Sequence, residues 1–408
     1  MTPPKLHIAT TVPMSVDTLL AGQPARLAET FAVTLVAAPG PELVAAGLRE
    51  GVPTRGIAMT RSITPLADLA AVWRLFRWFK EERPQVVQSY TPKAGLLVMT
   101  AARLAGVPVR IHGIVGMPLM EATGVRRQVL AVAERLTYRM ANQLTCNSTG
   151  LSRWVREHLR PRRELTVIGH GSINGVDVDR FRPASPVLRQ QRRRELGIDQ
   201  DSVVFVFVGR LVRDKGVEEL LVAFEHLQRQ RPEVVLLLVG EEEPERDPLS
   251  PAARQRLGSV PGVRRLGWYD DVRPAFAVAD VCVLPSYREG LPTTLLEAAA
   301  CGLPAVTTDI NGCNEVVVDG CTGVLVAAKD AIALQAGMAR LLDRSERARM
   351  GAAARRRVTE RFEHQAFCRA LVAYYERAVG SAPEPLQGVA QTLGQRDRDQ
   401  VGEERPQP

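Results

Sequence analysis

The feature that most constrains this chain is an alternation of short apolar runs with longer amphipathic stretches. In the first half the runs are residues 6–12, 33–37, 86–90, 109–114, 144–147 and 166–168, and helix-like stretches such as 66–80, 94–105 and 126–141 lie between them. The rhythm restarts with runs at 203–208, 234–239, 263–266, 281–284 and 305–308. Runs of strand length, rich in Val, Ile and Leu, suit parallel strands buried on both faces. Strand alternating with helix predicts parallel sheets flanked by helices. Two such blocks predict an α/β chain of two doubly wound, Rossmann-like domains, and 408 residues also favour two domains over one. The expected division is 1–185 and 186–362, with the joint inside the polar, arginine-rich segment 183–199. Residues 381–408 carry almost nothing apolar and are expected to form a disordered tail.

Hydrophobic content of 45% and charged content of 24% are those of a globular protein. No apolar run approaches the roughly 20 residues needed to span a bilayer. Residues 1–9 lack the apolar core of a signal peptide, so a cytoplasmic location is expected. Six cysteines without a Cys-x-x-Cys pair, and six histidines without a His-x-x-x-His pair, imply no metal site. The net charge of +8 is uneven: residues 1–190 hold 24 Lys and Arg against 13 Asp and Glu. Arg126, Arg127, Arg135 and Arg139 recur on a predicted helix among Val129, Leu130, Val132 and Leu136. Such a face suits peripheral contact with an anionic membrane, or equally a solvated surface. Nucleic acid is disfavoured, because aromatic residues are only 5% and no reader motif appears.

The stretch Glu289-Gly290-Leu291-Pro292-Thr293-Thr294-Leu295-Leu296-Glu297 follows the strand predicted at 281–284. Pro292 suits a first helical turn, so two carboxylates flank a helix start at the C-terminal end of a strand, where open α/β sheets bind ligands. Unpaired main-chain N–H groups of residues 291–294 suit a phosphate. The carboxylates suit hydroxyl groups, so the implied ligand carries both phosphate and sugar. After the strand at 203–208, Gly209 allows close backbone approach, and Arg210 and Lys215 present two cations to that phosphate.

Glu289 and Glu297, with seven residues between them, resemble the paired-glutamate motif of retaining glycosyltransferases of family 4. So do Val208-Gly209-Arg210-Leu211 leading to Asp214-Lys215-Gly216, Ala300-Cys301-Gly302-Leu303-Pro304, and Asn174-Gly175-Val176-Asp177 before Arg180-Phe181. The resemblance spans roughly residues 5–380 and is nearest to bacterial enzymes that extend lipid-linked surface glycans, including N-acetylgalactosamine transfer to an undecaprenyl-diphosphate-linked sugar. It implies the GT-B fold, with a cleft between an acceptor domain and a nucleotide-sugar domain, and a terminal helix, 363–380, crossing back to the first domain. There Phe367, Leu371 and Tyr374 are expected to pack.

The resemblance also implies roles. Arg210 and Lys215 bind the donor diphosphate in place of a metal or other cofactor, Glu289 orients the donor sugar, and Glu297 binds the ribose hydroxyls. Gly290, Leu291 and Thr293 are expected at the phosphate, and Gly240 beside the base near Tyr287. The acidic run 241–245 reads as solvated, and Glu315 as a structural cap. In the first domain no glycine-rich loop follows the first strand, and Lys93 is a candidate for an acceptor phosphate. Many relatives place a histidine near the reacting sugar; here Val115 holds that position, and His112 is a weak substitute. The expected partners are a UDP-sugar donor and a lipid-linked or polysaccharide acceptor. Alternatives on the same fold are a UDP-N-acetylhexosamine epimerase and a non-catalytic nucleotide-sugar-binding subunit. An NAD-dependent oxidoreductase is disfavoured, since no Gly-x-Gly-x-x-Gly follows the first strand.

Overall fold

The computed structural model describes residues 2–60, 62, 64–245 and 247–381. The first sheet contains β1 (Lys5–Ala9), β2 (Ala32–Ala37), β3 (Thr54–Gly56), β4 (Val86–Tyr90), β5 (Val109–Ile114), β6 (Gln143–Cys146) and β7 (Leu165–Val167). Its order is β3-β2-β1-β4-β5-β6-β7, and every pairing is parallel. The second contains β8 (Val204–Val208), β9 (Val235–Val239), β10 (Val263–Gly267), β11 (Val281–Leu284), β12 (Ala305–Thr308) and β13 (Gly323–Val326). Its order is β10-β9-β8-β11-β12-β13, again all parallel. In both sheets the first strand lies inside and the order reverses beside it, which opens a crevice at the C-terminal edge. Strands β4, β8, β9, β11 and β12 are buried at every residue, because helices cover both faces.

Two edge strands escaped the apolar pattern. Strand β3 reads Thr-Arg-Gly and is half exposed, and β13 is a four-residue run opened by Gly323. The run at 6–12 is shortened: β1 ends at Ala9, and Val12 caps the helix Pro13–Leu19. The helix Arg344–Arg361 was also not anticipated, since only Met350, Gly351, Ala354 and Val358 form its buried stripe.

The chain crosses between domains earlier than its composition suggests. Ile173 packs in a first-domain core and Val176 in the second. Val176 N–H donates to the Phe362 carbonyl at 2.8 Å and His364 N–H to the Val176 carbonyl at 3.0 Å, so outgoing and returning segments pair. The arginine-rich segment 183–199 forms the helix Pro186–Glu195 on the second domain, pinned by Arg193, which is 1% exposed. Its guanidinium donates to the carbonyls of Val278 and Ser202 and to Asp280, so a buried cation is fully paired. The helix His364–Gly380 returns to the first domain, where Phe367, Leu371 and Tyr375 are buried in one cluster with Leu6, Ile8 and Val33, and Tyr374 flanks it. The expected tail beyond Ser381 lies outside the described residues.

Candidate active site

The second sheet delivers its loops to one edge. Gly209 follows β8 and Gly240 follows β9, and Gly240 (φ +134°) lies so close to the Gly209 carbonyl that a β-carbon has no room. Gly216 (φ +67°) presses likewise on the Pro285 carbonyl, which brings the loop carrying Lys215 against the loop carrying Glu289.

Three ion pairs cluster at this edge. Lys215 Nζ lies 2.5 Å from Glu289 Oε1, and Ser286 Oγ donates to the same oxygen at 2.7 Å. Arg210 donates to Glu243 Oε2 at 2.7 Å. Arg288 donates to Asp214 Oδ2, and Asp214 N–H is held by Asp247 at 2.8 Å. Arg210, Asp214, Lys215, Arg288, Glu289 and Gly290 line a cavity of about 170 Å³, and its other wall is first-domain residues Val115, Gly116, Met117 and Met120. Four of the nine expected residues thus share one cavity. Glu243 was expected to be solvated; instead it is the counter-ion of Arg210.

The helix Thr293–Ala300 follows its cap residue Pro292, no side chain caps it, and the N–H groups of Thr293 and Thr294 have no partner among the described residues. Thr293 is half-buried beside it. The Thr294 hydroxyl is spent on the Val208 carbonyl at 3.3 Å. Leu291 is buried; its side chain packs against Gly171 of the crossing segment and thus acts between domains.

Glu297 sits one turn further along that helix, outside the 170 Å³ cavity. Among the described residues its carboxylate has no hydrogen-bond partner. Burial pushes it up to about 7, Arg180 pulls it down and Asp271 adds to the rise. A carboxylate held without partners is ready to accept hydroxyl donors. Tyr287 donates to Glu219 at 2.7 Å, and Lys329 stacks 4.7 Å above its ring.

In the first domain, Val115 lies in the cavity wall, and its carbonyl accepts from Asn147 Nδ2 at 3.2 Å. Gly290 of the second domain packs on both groups so closely that no side chain fits. His112 points away from the cleft: its Nδ1 meets Ser89 Oγ at 2.9 Å, and burial lowers its pKa to about 4. Lys93 pairs with Asp68 at 2.7 Å, which occupies the cation considered for an acceptor phosphate. The sequence reading assigned no individual role to Asp214, Arg288, Ser286, Asn147 or Asn311. Arg288 had a visible signal, being the cation directly before Glu289, whereas Asn147 and Asn311 become significant only through contacts between loops.

Residues 189–357 match the family described as glycosyl transferases group 1, and residues 15–171 match the glycosyl transferase 4-like domain. The chain is 30% identical over 321 residues to the capsular polysaccharide biosynthesis glycosyltransferase CapM of Staphylococcus aureus, covering 78% of this chain and 83% of that protein. It is 30% identical over 278 residues to the UDP-Gal:alpha-D-GlcNAc-diphosphoundecaprenol alpha-1,3-galactosyltransferase of Escherichia coli, covering 67% and 70%. Among solved structures, Anabaena HepE in complex with UDP and glucose superimposes with a TM-score of 0.76 at 18% identity, over 92% of this chain and 100% of that one. Sucrose-phosphate synthase from Thermosynechococcus elongatus does so with a TM-score of 0.75 at 19% identity, over 93% and 100%. The paired parallel sheets are those of the GT-B fold, and the chain belongs to the glycosyltransferase family that joins a 4-like domain to a group 1 domain.

Proposed function

We propose that this protein transfers a hexose or N-acetylhexosamine from a UDP-sugar to a lipid-linked or polysaccharide acceptor in cell-surface glycan synthesis, with retention of anomeric configuration. The observation that carries this reading is the Lys215–Glu289 pair beside Arg210 in a cavity walled by the first domain. A UDP-linked donor and a lipid-diphosphate acceptor are supported by the name of the related galactosyltransferase, a UDP donor also by the UDP bound in HepE, and polysaccharide synthesis by CapM.

In this reading the donor diphosphate draws Lys215 and Arg210 away from Glu289 and Glu243. The released Glu289 carboxylate accepts from the sugar hydroxyls, and Glu297 accepts from the ribose. Breakage of the bond from C1 to the β-phosphate oxygen leaves the electron pair on that oxygen, where Arg210, Lys215 and the bare N–H groups of the helix Thr293–Ala300 stabilise it. The acceptor hydroxyl attacks C1 from the same face, and its proton passes to the departing phosphate oxygen. Closure of the first-domain wall excludes water, whose attack competes with transfer.

The acceptor's lipid implies work at the inner face of the cytoplasmic membrane. No described helix is long and apolar enough to cross a membrane. The helix Gly124–Met140 exposes Val125, Val129, Val132 and Leu136 along one side, opposite buried Glu134, with exposed Arg126, Arg135 and Arg139 beside them. An apolar stripe edged with cations fits an anionic lipid surface. The test is a screen of UDP-sugars against undecaprenyl-linked acceptors with mass detection of the extended lipid. Loss of transfer in Glu289→Ala supports the reading, and full turnover in that variant refutes it.

A further inference from the structure

The helix Thr149–Leu159 belongs to the first domain, yet its N-terminus is closed by the second. Of the four main-chain N–H groups at a helix start that lack partners within the helix, three lie beyond the cap residue. Here Ser148 Oγ accepts from Leu151 N–H at 3.2 Å, and Glu315 takes the other two: Oε2 accepts from Thr149 N–H at 2.7 Å and Oε1 from Gly150 N–H at 2.9 Å. Gly150 permits this approach, because a β-carbon there lies 2.7 Å from Asn311 Cβ and 3.0 Å from Glu315 Oε1. Glu315 is itself held from behind by Arg357, which donates to the carbonyls of Glu315 and Val316 at 2.7 and 3.0 Å.

The loop before Glu315 also reaches the candidate site. Asn311 Nδ2 donates to the Glu289 carbonyl, and Gly312 (φ +80°) packs directly on the Gly290 carbonyl. Gly290 in turn abuts Val115 and Asn147 of the first domain. One short segment, 311–315, therefore grips the first domain at one end and supports the backbone of Glu289 at the other.

We propose that Glu315 is a positioning residue: its carboxylate latches the second domain onto the helix Thr149–Leu159, and through Asn311 the latched state sets the place of Glu289 relative to the Val115 wall. A negative charge at a helix N-terminus is favoured by the macrodipole as well as by the two bonds, so the contact stabilises closure specifically. Only the consequence for turnover rests on the function proposed above; the latch itself is a property of the two domains.

The experiment compares the full chain with Glu315→Gln, Gly150→Ala and the double variant. The amide of Glu315→Gln turns one acceptor into a donor facing a donor, whereas Gly150→Ala favours the helix itself and obstructs only the contact. X-ray scattering is expected to show a larger radius of gyration for each single variant. The double variant should open no further than the singles, because both remove one contact. Calorimetric UDP affinity should stay within about twofold, since the donor's contacts lie in the second domain, while kcat falls about tenfold or more from lost alignment. Unchanged scattering in both single variants, or additive opening in the double, overturns the proposal. Absence of UDP binding to the unaltered chain counts against the donor reading, and scattering still decides the latch.

Discussion

Lys215 and Glu289, 74 residues apart in sequence, meet at 2.5 Å because Gly216 lets one loop lie on the Pro285 carbonyl of the other. The pair is mostly buried, and the Ser286 hydroxyl adds a second donor to the same oxygen. A cation and a carboxylate that neutralise each other within the fold become available together when an anionic ligand takes the cation. Arg210 with Glu243 and Arg288 with Asp214 repeat the arrangement around the cavity.

Replacing Lys215 by Ala is expected to cut kcat by roughly 10²–10³-fold, the scale of losing one preorganised group that stabilises a developing anion. Ser286 still satisfies Glu289, so the melting temperature should move by only a few degrees. Steady-state kinetics and circular dichroism check the two halves. A variant that melts normally and turns over at the parental rate removes Lys215 from the chemistry.

Donor affinity should depend on pH through Glu297, whose carboxyl is pushed by burial up to about 7. Only the ionised form accepts hydrogen bonds from both ribose hydroxyls. Between pH 8 and pH 6 the ionised fraction falls about tenfold, so binding of an intact UDP-sugar should weaken by about that factor. The intact sugar nucleotide is the right probe, because its diphosphate does not titrate in this range. Glu297→Gln should bind more weakly at pH 8 and show a flat profile; a parental slope in that variant excludes this assignment.

Glu134 gives a stability prediction of defined sign. It is buried under the helix Gly124–Met140, and burial pushes it up to about 7 from an ordinary 4.5. The folded state therefore keeps a proton that the unfolded chain releases between those values. The stability present below pH 4.5 is lost as pH rises through about 7, amounting to roughly 3 kcal/mol. Glu134→Gln should be more stable than the parent at pH 8 and close to it at pH 4.5, as read from urea midpoints. Glu297 titrates in the same direction, so part of the slope remains in the variant.

Gly240 sits at φ +134°, with its α-carbon hydrogen facing the Gly209 carbonyl. Alanine must push the two strand ends apart, and a loss of about 2–4 kcal/mol is expected from left-handed strain and overpacking together. Denaturant unfolding measures it. Because Gly209 precedes Arg210, donor affinity should fall in the surviving folded fraction.

Flotation with vesicles tests the lipid contact. Binding should require anionic lipid, weaken with salt, and fall about tenfold or more when Val129 and Val132 are both changed to Glu, since each exposed valine otherwise gains apolar burial. Equal binding to zwitterionic vesicles would point to an apolar surface without charge selectivity.

The two-sheet architecture was legible because a parallel strand buried on both faces is apolar throughout, as in Val204–Val208 and Val235–Val239. That Arg210, Lys215 and Glu289 lie on one cavity was legible because strand ends in such sheets are where loops converge. Illegible features share a different cause. Glu243 looked like one charge in an acidic run until Arg210 lay beside it, and Lys93 looked free until Asp68 claimed it. His112 looked near the cleft in sequence, but alternation along β5 turned it beneath the helix Pro92–Ala105, where Gly95 makes room for its ring.

The amino-acid order alone marked the buried inner strands, where their loops emerge and which charges those loops carry, since these follow from local periodicity and turn chemistry. Tertiary structure decided the pairing: which carboxylate neutralises which cation, which helix start Glu315 closes, and how the first domain walls the cavity. Such contacts join residues far apart in sequence, as across the 166 positions between Thr149 and Glu315. Their strength falls off within a few ångströms, so only the packed chain can select them.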